Sequence, residues 1–329
     1  MPAPTRKYDK FGFPVPGTFE DLPMPDRDSA GSPAAPPARH PRGASRRKRI
    51  ILGVVLLAVA AAAAIPWITN VGQGLLGDWL AQRAHERFRN GDMPGTVADS
   101  TRAFSLLGND LTDERRIDLL MMRAIAKLEI HDLEGSRSDF DRVLTSPKAD
   151  RGIRLMCYYR RSWVNCRLQN HAASVVDATE AIELLDRNDP LMPTLLNQRA
   201  YIRALANSSR EELEAGLDDI ERALQMTRDN PAFLHTRDNP AFIDTRGYLL
   251  HLLGRHKEAL DDMERAIRLT EARMKREYRF EEVERIKKDL AVMYYHRSRI
   301  HAARGNDVAA ENDHRKAEEY GYNPDEGVL

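Results

Sequence analysis

The sequence predicts an all-α protein: a solenoid of antiparallel helix pairs, preceded by one transmembrane helix and a disordered N-terminal tail. Three observations support this prediction. The chain starts with a Pro-rich stretch of few aliphatic residues, continues with an unbroken apolar run, and then carries small residues at nearly regular spacing. They divide the 329 residues into a tail at 1–49, a membrane segment at 50–69 and a repeat domain of about six repeats at 77–324.

The tail is the first of these elements. Residues 1–40 are rich in Pro, Gly, Ala and Ser, so they have too little apolar surface to offset the entropy of ordering a backbone. We therefore expect disorder over 1–49. Two short apolar islands, at residues 11–16 and 19–23, leave a role in docking open.

The membrane segment is the strongest physical signal in the sequence. Every residue from Ile50 to Ile68 is apolar, and these nineteen residues as a helix span roughly the 30 Å of a bilayer core. Four basic residues, at 46–49, precede the run, whereas residues 70–82 contain none. This asymmetry places the N-terminus in the cytoplasm and the repeat domain on the far side, in the periplasm or a lumen. A bacterial protein of this kind would lie in the inner membrane.

A cleavable signal peptide is the alternative interpretation of the same run. The stretch from Ala58 to Ala64 offers small residues to a peptidase. Cleavage there would release a periplasmic or secreted chain, which could serve as the accessory subunit of an enzyme. The 49 residues before the run are far longer than the basic start of an ordinary signal peptide, and this favours an uncleaved anchor.

Charge excludes one class of partner. The chain has 50 basic and 50 acidic side chains, and the basic excess is confined to residues 1–49, with ten basic against five acidic residues. Nucleic-acid binding needs Lys and Arg clustered on one face, and the repeat domain has no such stripe. We expect no nucleic-acid partner.

The clearest repeat lies at residues 244–269. It has Gly247 in a first helix, Gly254 in a turn, and Ala259, Met263 and Ala266 in a second helix. This arrangement resembles the tetratricopeptide repeat, in which small and large residues alternate so that two antiparallel helices interlock. The resemblance implies a right-handed superhelical solenoid.

Five further copies follow the same phase. Their residues expected to pack between helices are Leu80, Ala84, Ala124, Ser162, Ala200, Ala310 and Ala317. From second helix to second helix the steps are 40, 38, 42, 43 and 51 residues, where the family repeats about every 34. The helices or loops must therefore be lengthened irregularly.

The resemblance also implies a binding surface, because the first helices of such repeats line a concave groove for a peptide or protein. The candidates on these helices are Tyr159, Trp163, Arg167, Asn197, Tyr201, Asp244, Tyr248, His251, Tyr295 and Arg299. Aromatic residues interleaved with Arg and Asn are typical of protein-binding surfaces. Tyr and Trp also serve as ordinary packing residues between repeats, and this alternative stays open.

Catalytic patterns are missing from the sequence. The histidine pairs His251/His256 and His296/His301 are five apart, whereas two metal ligands on one helical face prefer a separation of four. There is no Gly-rich phosphate loop and no nucleophile motif. We expect no catalysis, metal, cofactor or small-molecule substrate, and we predict a membrane-anchored scaffold for protein–protein interactions in an envelope or lumenal complex.

One segment is duplicated in tandem. Residues 227–235 are followed at once by a near copy at 236–244, and each copy contains Asn followed by Pro. This pair suits the cap and first turn of a helix. The second copy should therefore start the helix that contains Gly247, and the first should lengthen the connection before it.

Overall fold

The computed structural model describes residues 71–207, 209–229 and 239–322, and all regular structure in these ranges is helical. The prediction of an all-α fold is therefore confirmed for this part of the chain. The helices are α1 (71–89), α2 (Met93–Leu107), α3 (Asp113–Glu129), α4 (Leu133–Leu144), α5 (Arg151–Arg167), α6 (His171–Glu183), α7 (Met192–Ala206), α8 (Arg210–Asp229), α9 (Pro240–Leu252), α10 (His256–Met274), α11 (Phe280–Ala303) and α12 (Asp307–Glu319), with a short 3₁₀ turn at Gly108–Asp110.

The helices form six successive pairs. Each odd-numbered helix from α3 to α11 packs against the even-numbered helix that follows it, and each even-numbered helix from α2 to α10 also contacts the first helix of the next pair. Leu80 and Ala84 of α1 share a buried cluster with Ala103 and Leu107 of α2, which completes the first pair. Neighbouring pairs are thus stacked in chain order, as in a solenoid.

Each pair is closed by a turn in which one residue has a positive φ. These residues are Gly91, His131, Gln169, Asn207, Gly254 and Gly305, with φ between 42° and 80°. A left-handed residue ends the first helix and lets the chain reverse. Three of the six turns use a residue other than glycine, so the sequence alone did not mark them.

Small residues lie where the two helices of a pair cross. Ala84, Ala124, Ser162 and Ala200 are fully buried. In the second and third pairs a serine of the second helix donates to a carbonyl oxygen of the first, with Ser136 Oγ 2.7 Å from the Ala124 oxygen. Helices can approach this closely only where no larger side chain separates them.

The second helix of the sixth pair has fewer buried residues than those of the other pairs. Ala317 is fully buried, whereas Ala310, expected to pack between the helices, is only half-buried. Ala310 is less buried because α12 packs chiefly on α11 and is the last helix of the described part of the chain.

Two lengthened regions account for the third and fifth steps of the repeat spacing, 42 and 51 residues. In five pairs the crossing residues of the first and second helix are twelve positions apart, but Ala200 and Gly216 of the fourth pair are sixteen apart. Four residues are about one helical turn, so the extra length leaves the phase of the pair unchanged. The long step to the sixth pair comes from the lengthened helices α10 and α11, which have 19 and 24 residues.

The duplicated segment is described at 227–229 of the first copy, which end α8, and at 239–244 of the second copy, where α9 begins. Asn239 caps α9 by accepting a hydrogen bond from the Ala241 amide at 3.1 Å, and Pro240 is the first helical residue. This is the expected role of the Asn–Pro pair. The corresponding pair of the first copy, at 230–231, lies outside the described residues.

The expected tail and membrane segment, 1–49 and 50–69, also lie outside the described residues. None of the helices that the structure describes combines the length and apolarity needed to cross a membrane. The predicted span is thus not among the helices described above.

Candidate functional site

Each pair contains a two-point arginine–aspartate ion pair between its two helices, and we call this series the Arg–Asp ladder. Its members are Arg83–Asp99, Arg123–Asp139, Arg161–Asp177, Arg199–Asp219, Arg246–Asp262 and Arg297–Asp313. In each of them Nε and Nη2 of the guanidinium donate to the two carboxylate oxygens at 2.5 to 2.9 Å. Such two-point contacts fix orientation as well as distance.

The aspartates of the ladder are buried, with 2 to 7% of each residue exposed. A buried carboxylate needs a charged or hydrogen-bonding partner, because desolvation otherwise penalises its charge. In the first pair the Arg83 guanidinium, by its hydrogen bonds and its charge, holds the pKa of Asp99 below its usual range. The ladder therefore sets how each first helix sits on its second helix.

Sequence reasoning missed this ladder, although the sequence contains it. Each arginine directly precedes the small crossing residue of its first helix, and each aspartate follows the crossing position of the second helix by three. The separation is sixteen residues except in the fourth pair, where it is twenty. There Arg203, one turn after Arg199, also reaches Asp219, as Arg87 and Lys127 reach Asp99 and Asp139 from the same position of their helices.

The first helices form a surface of their own, which we call the first-helix face. Helix α9 contacts both α7 and α11 directly, so these three first helices lie side by side. Four rings form a row across it. Trp163 lies 6.3 Å from Tyr201, Tyr201 lies 6.2 Å from His296, and His296 stacks on Tyr248 at 4.0 Å between ring centroids.

The predicted groove residues occupy two levels of this face. Tyr159, Tyr201 and Asp244 are buried and form its floor together with the fully buried His296. Trp163, Arg167, Asn197, Tyr248, His251 and Tyr295 are half-buried and Arg299 is exposed, and these residues form its rim. Only the rim offers side-chain surface to a partner, whereas the floor supports it.

His296 is a floor residue that sequence reasoning passed over. Its Nδ1 lies 2.9 Å from Asp244 Oδ1, while its Nε2 has no hydrogen-bond partner among the described residues. Gln198 occupies the same position relative to the crossing residue of α7, and its Nε2 donates to the Tyr159 carbonyl of α5 at 3.0 Å. In both pairs the residue two positions before the crossing residue bonds its helix to the first helix of the preceding pair. A polar residue at this position is the sequence signal that could have identified the contact.

The rim carries two arginines, Arg167 on α5 and Arg299 on α11. Arg299 donates to the Tyr295 hydroxyl at 3.0 Å, and Tyr295 stacks on Tyr322 with 4.3 Å between centroids. Asp289, two turns before His296 on the same helix, is exposed, yet desolvation by the surrounding protein raises its pKa to about 6. Helix α11 therefore presents a guanidinium beside aromatic rings and, ten residues earlier, a carboxyl.

His251 and His256 approach each other across the turn of the fifth pair. His251 is near the end of α9 and His256 begins α10, so they belong to different helices and the spacing rule for one helix does not apply. Their Nδ1 atoms are 3.1 Å apart. Desolvation, followed by the charges of His256, Arg299 and His296, lowers the pKa of His251 to about 4.

This lowered pKa predicts an acid-sensitive contribution to stability. Between pH 6.5 and 4 the unfolded chain binds a proton at His251 that the folded chain does not, so stability falls as the pH falls through this window. In His251→Gln the loss should be smaller by about 1 kcal/mol, since the half-buried ring is partly screened by solvent. Urea unfolding at pH 7.5, 6, 5 and 4 measures it, and parallel pH curves for the two proteins would contradict the prediction.

Other reactive groups are enclosed. Cys157 and Cys166 are buried and free, and burial raises the pKa of their thiols to about 12 and about 11. The described residues contain no group of three or more His, Cys, Asp or Glu side chains placed to hold a metal ion.

Comparison with known proteins identifies the architecture. No protein-family model and no curated protein sequence matches the chain. The apo form of RapI superposes with a TM-score of 0.53 at 9% identity, over 74% of this chain and 97% of that one. A tetratricopeptide repeat protein from Parabacteroides merdae gives a TM-score of 0.49 at 15% identity, over 77% and 96%. MamA from Desulfovibrio magneticus RS-1 gives 0.45 at 15% identity, over 61% and 98%.

At this level of identity the likeness concerns the fold alone. Two observations indicate the same architecture. They are the superposition on RapI and the six stacked helix pairs with small residues at their crossings. The described part of the chain has a tetratricopeptide-like fold of helix pairs.

Proposed function

We propose that this protein is a membrane-anchored scaffold whose first-helix face forms a groove for a segment of another protein. The observation that carries the proposal is the arrangement of that face. Half-buried Trp163, Tyr248 and Tyr295 are presented over a buried floor, and aromatic side chains on rigid support are common anchors of protein interfaces.

The chemistry of the rim favours an extended peptide segment or a helix that offers both apolar and charged side chains. The rings supply apolar contact area, Arg167 and Arg299 of the rim supply positive charge, and Asp289 of α11 supplies a carboxyl. Asp244 and His296 of the floor are buried and hydrogen-bonded to each other, so the proposed contact uses the rim and does not require the floor to open. No step of catalysis is part of this proposal.

The anchor is the second part of the proposal. The apolar run at 50–69, the basic residues at 46–49 and the lack of basic residues from 70 to 82 support an uncleaved span with the N-terminus in the cytoplasm. The repeats would then work in the periplasm or a lumen. A chain released by cleavage near Ala64, acting as the accessory subunit of an enzyme, is the alternative.

Site-specific photo-crosslinking tests the binding face. In the full-length chain a benzoylphenylalanine replaces Trp163, Tyr248 or Tyr295 in turn, and the membranes are irradiated. We expect all three positions to give an adduct with the same partner, identified by mass spectrometry. Adding Arg299→Glu should reduce that adduct at least threefold, because it removes a rim cation.

Val176 is the matched control position. It is 59% exposed on the second helix α6, so it is at least as accessible as the rim residues. The same crosslinker there should leave the partner unlabelled. Equal labelling from Val176 and the rim, or no shared adduct among the three rim positions, would contradict the proposal.

Topology is tested by labelling single cysteines with a membrane-impermeant maleimide on spheroplasts. The positions are Ser32→Cys and Ser209→Cys in a chain that lacks Cys157 and Cys166. We expect labelling at 209 alone in a full-length, membrane-bound chain. Labelling at 32 alone would invert the orientation, and a shortened soluble chain would favour the released subunit.

A further inference from the structure

Helix α1 has an apolar surface that nothing in the described chain covers. Val71, Leu75, Leu76 and Trp79 have 42, 67, 47 and 51% of their area exposed. At 100° per residue Val71, Leu75 and Trp79 lie within one narrow stripe and Leu76 lies at its edge. We call these four residues the α1 stripe.

The stripe is separate from the face by which α1 joins the repeats. Leu80, Ala81 and Ala84 are buried against α2 and α3. Gly77 lies so close to α2 that a Cβ there would be 2.6 Å from Leu107 Cγ. One side of α1 is thus already packed on the repeats, and the stripe is a second apolar side that stays exposed.

The exposed side of α1 changes character along the helix. Beyond Trp79 the exposed residues are Gln82, Glu86 and Arg89, all polar or charged. Asp78, the first charged residue after Arg49, forms an ion pair with Arg115 at 2.6 Å. The exposed apolar residues are therefore confined to positions 71–79 of α1. This is the end of the helix that follows the apolar run at 50–68 in the sequence.

We propose that the α1 stripe lies in the headgroup layer of the membrane, so that the first helix pair rests on the bilayer surface. This inference rests on the anchor proposed above. The sequence is uncharged from Ile50 to Gly77, and only Thr69 and Asn70 separate the apolar run from the stripe. A lipid surface is the occupant that this continuity brings next to α1.

The side chains suit that layer. Val71 and Trp79 are eight positions apart, so the stripe extends about 12 Å along α1. A helix that lies in the interface buries such an apolar face about 5–10 Å into the boundary between headgroups and acyl chains. Trp favours the membrane–water boundary. The Arg83 guanidinium lies over the Trp79 ring at 4.2 Å from its centroid. The same guanidinium donates hydrogen bonds to Asp99 of the Arg–Asp ladder. The membrane contact would thereby be coupled to the packing of the first pair.

Fluorescence quenching in vesicles tests this placement. The full-length chain, with Trp67→Phe and Trp163→Phe, keeps Trp79 as its only indole and is reconstituted into phosphatidylcholine–phosphatidylglycerol vesicles. Phosphatidylcholine with a doxyl group near the headgroup end of its acyl chain is the lipid quencher, and acrylamide is the aqueous one. The matched control keeps Trp163 alone, through Trp67→Phe and Trp79→Phe. Flotation of each sample reports the anchor independently.

We expect the lipid quencher to reduce Trp79 emission at least twofold more than Trp163 emission, and acrylamide to quench Trp79 weakly. If the chain floats with the vesicles but acrylamide alone quenches Trp79, the inference is overturned while the anchor stands. If both quenchers fail and crosslinking gives dimers, a second copy covers the stripe and the inference is overturned. A chain that does not float overturns the anchor itself.

Discussion

Replacing Asp139 by alanine is expected to lower the free energy of unfolding by about 3–5 kcal/mol, because it leaves buried charges without a partner. Asp139 is the acceptor of Arg123, whose side chain is only 9% exposed, and it also contacts Lys127 at 2.9 Å. Urea unfolding followed by circular dichroism measures the change. The double variant Arg123→Met/Asp139→Leu should recover part of the loss, since it removes the Arg123 charge together with its partner and leaves only Lys127 without its carboxylate.

The Arg210–Glu214 pair provides the control. Its side chains are 72 and 53% exposed, so Glu214→Ala should change stability by no more than about 0.5 kcal/mol. Equal losses from Asp139→Ala and Glu214→Ala would show that the ladder contributes no more than a surface ion pair.

The Arg–Asp ladder and the first-helix face use neighbouring positions of the same helices. In α9, Arg246 of the ladder precedes the crossing residue Gly247, and Tyr248 of the rim follows it. Successive residues of a helix point about 100° apart, so fixing the arginine on the second helix also fixes where the rim residue points. The ladder thereby positions the rings whose spacing defines the candidate site.

Much of the fold could be predicted because small residues at helix crossings leave a periodic trace. Gly247, Ala259 and Ala266 stand out, and the weaker copies follow their phase. The ladder has the same period but was missed, since an Arg or Asp in a chain with 50 acidic and 50 basic residues looks like ordinary surface charge. Only burial distinguishes Asp139 from an exposed aspartate.

The candidate site was harder to predict than the fold. Helical spacing places Tyr201 and Tyr248 on one face, but it does not indicate that Tyr201 is buried while Tyr248 is half-exposed. That difference depends on the neighbouring pair, which brings His296 between the two rings. The approach of His251 and His256 likewise depends on the geometry of a turn.

Gly247→Val is expected to destabilise the fifth pair by about 2–3 kcal/mol through overpacking at the helix crossing. A Cβ at this position would lie 3.2 Å from the Ala259 carbonyl oxygen and 2.9 Å from Met263 Cε. The methionine end can move, but the backbone carbonyl of α10 cannot move without shifting the helix. Since Tyr248 is the next residue, the same change should also weaken the crosslink from that position at least threefold.

The matched control is Gly152→Val, the same substitution at an exposed glycine of α5. A Cβ there meets only Asp150 Oδ1, at 3.4 Å, so the stability change should stay within about 0.5 kcal/mol. Thermal unfolding of both variants measures the contrast. If Gly247→Val were tolerated as well as Gly152→Val, close approach at the crossing would not be what holds the pair together. The small residues would then mark only the helical period, and the rim would depend on the Arg–Asp ladder alone for its position.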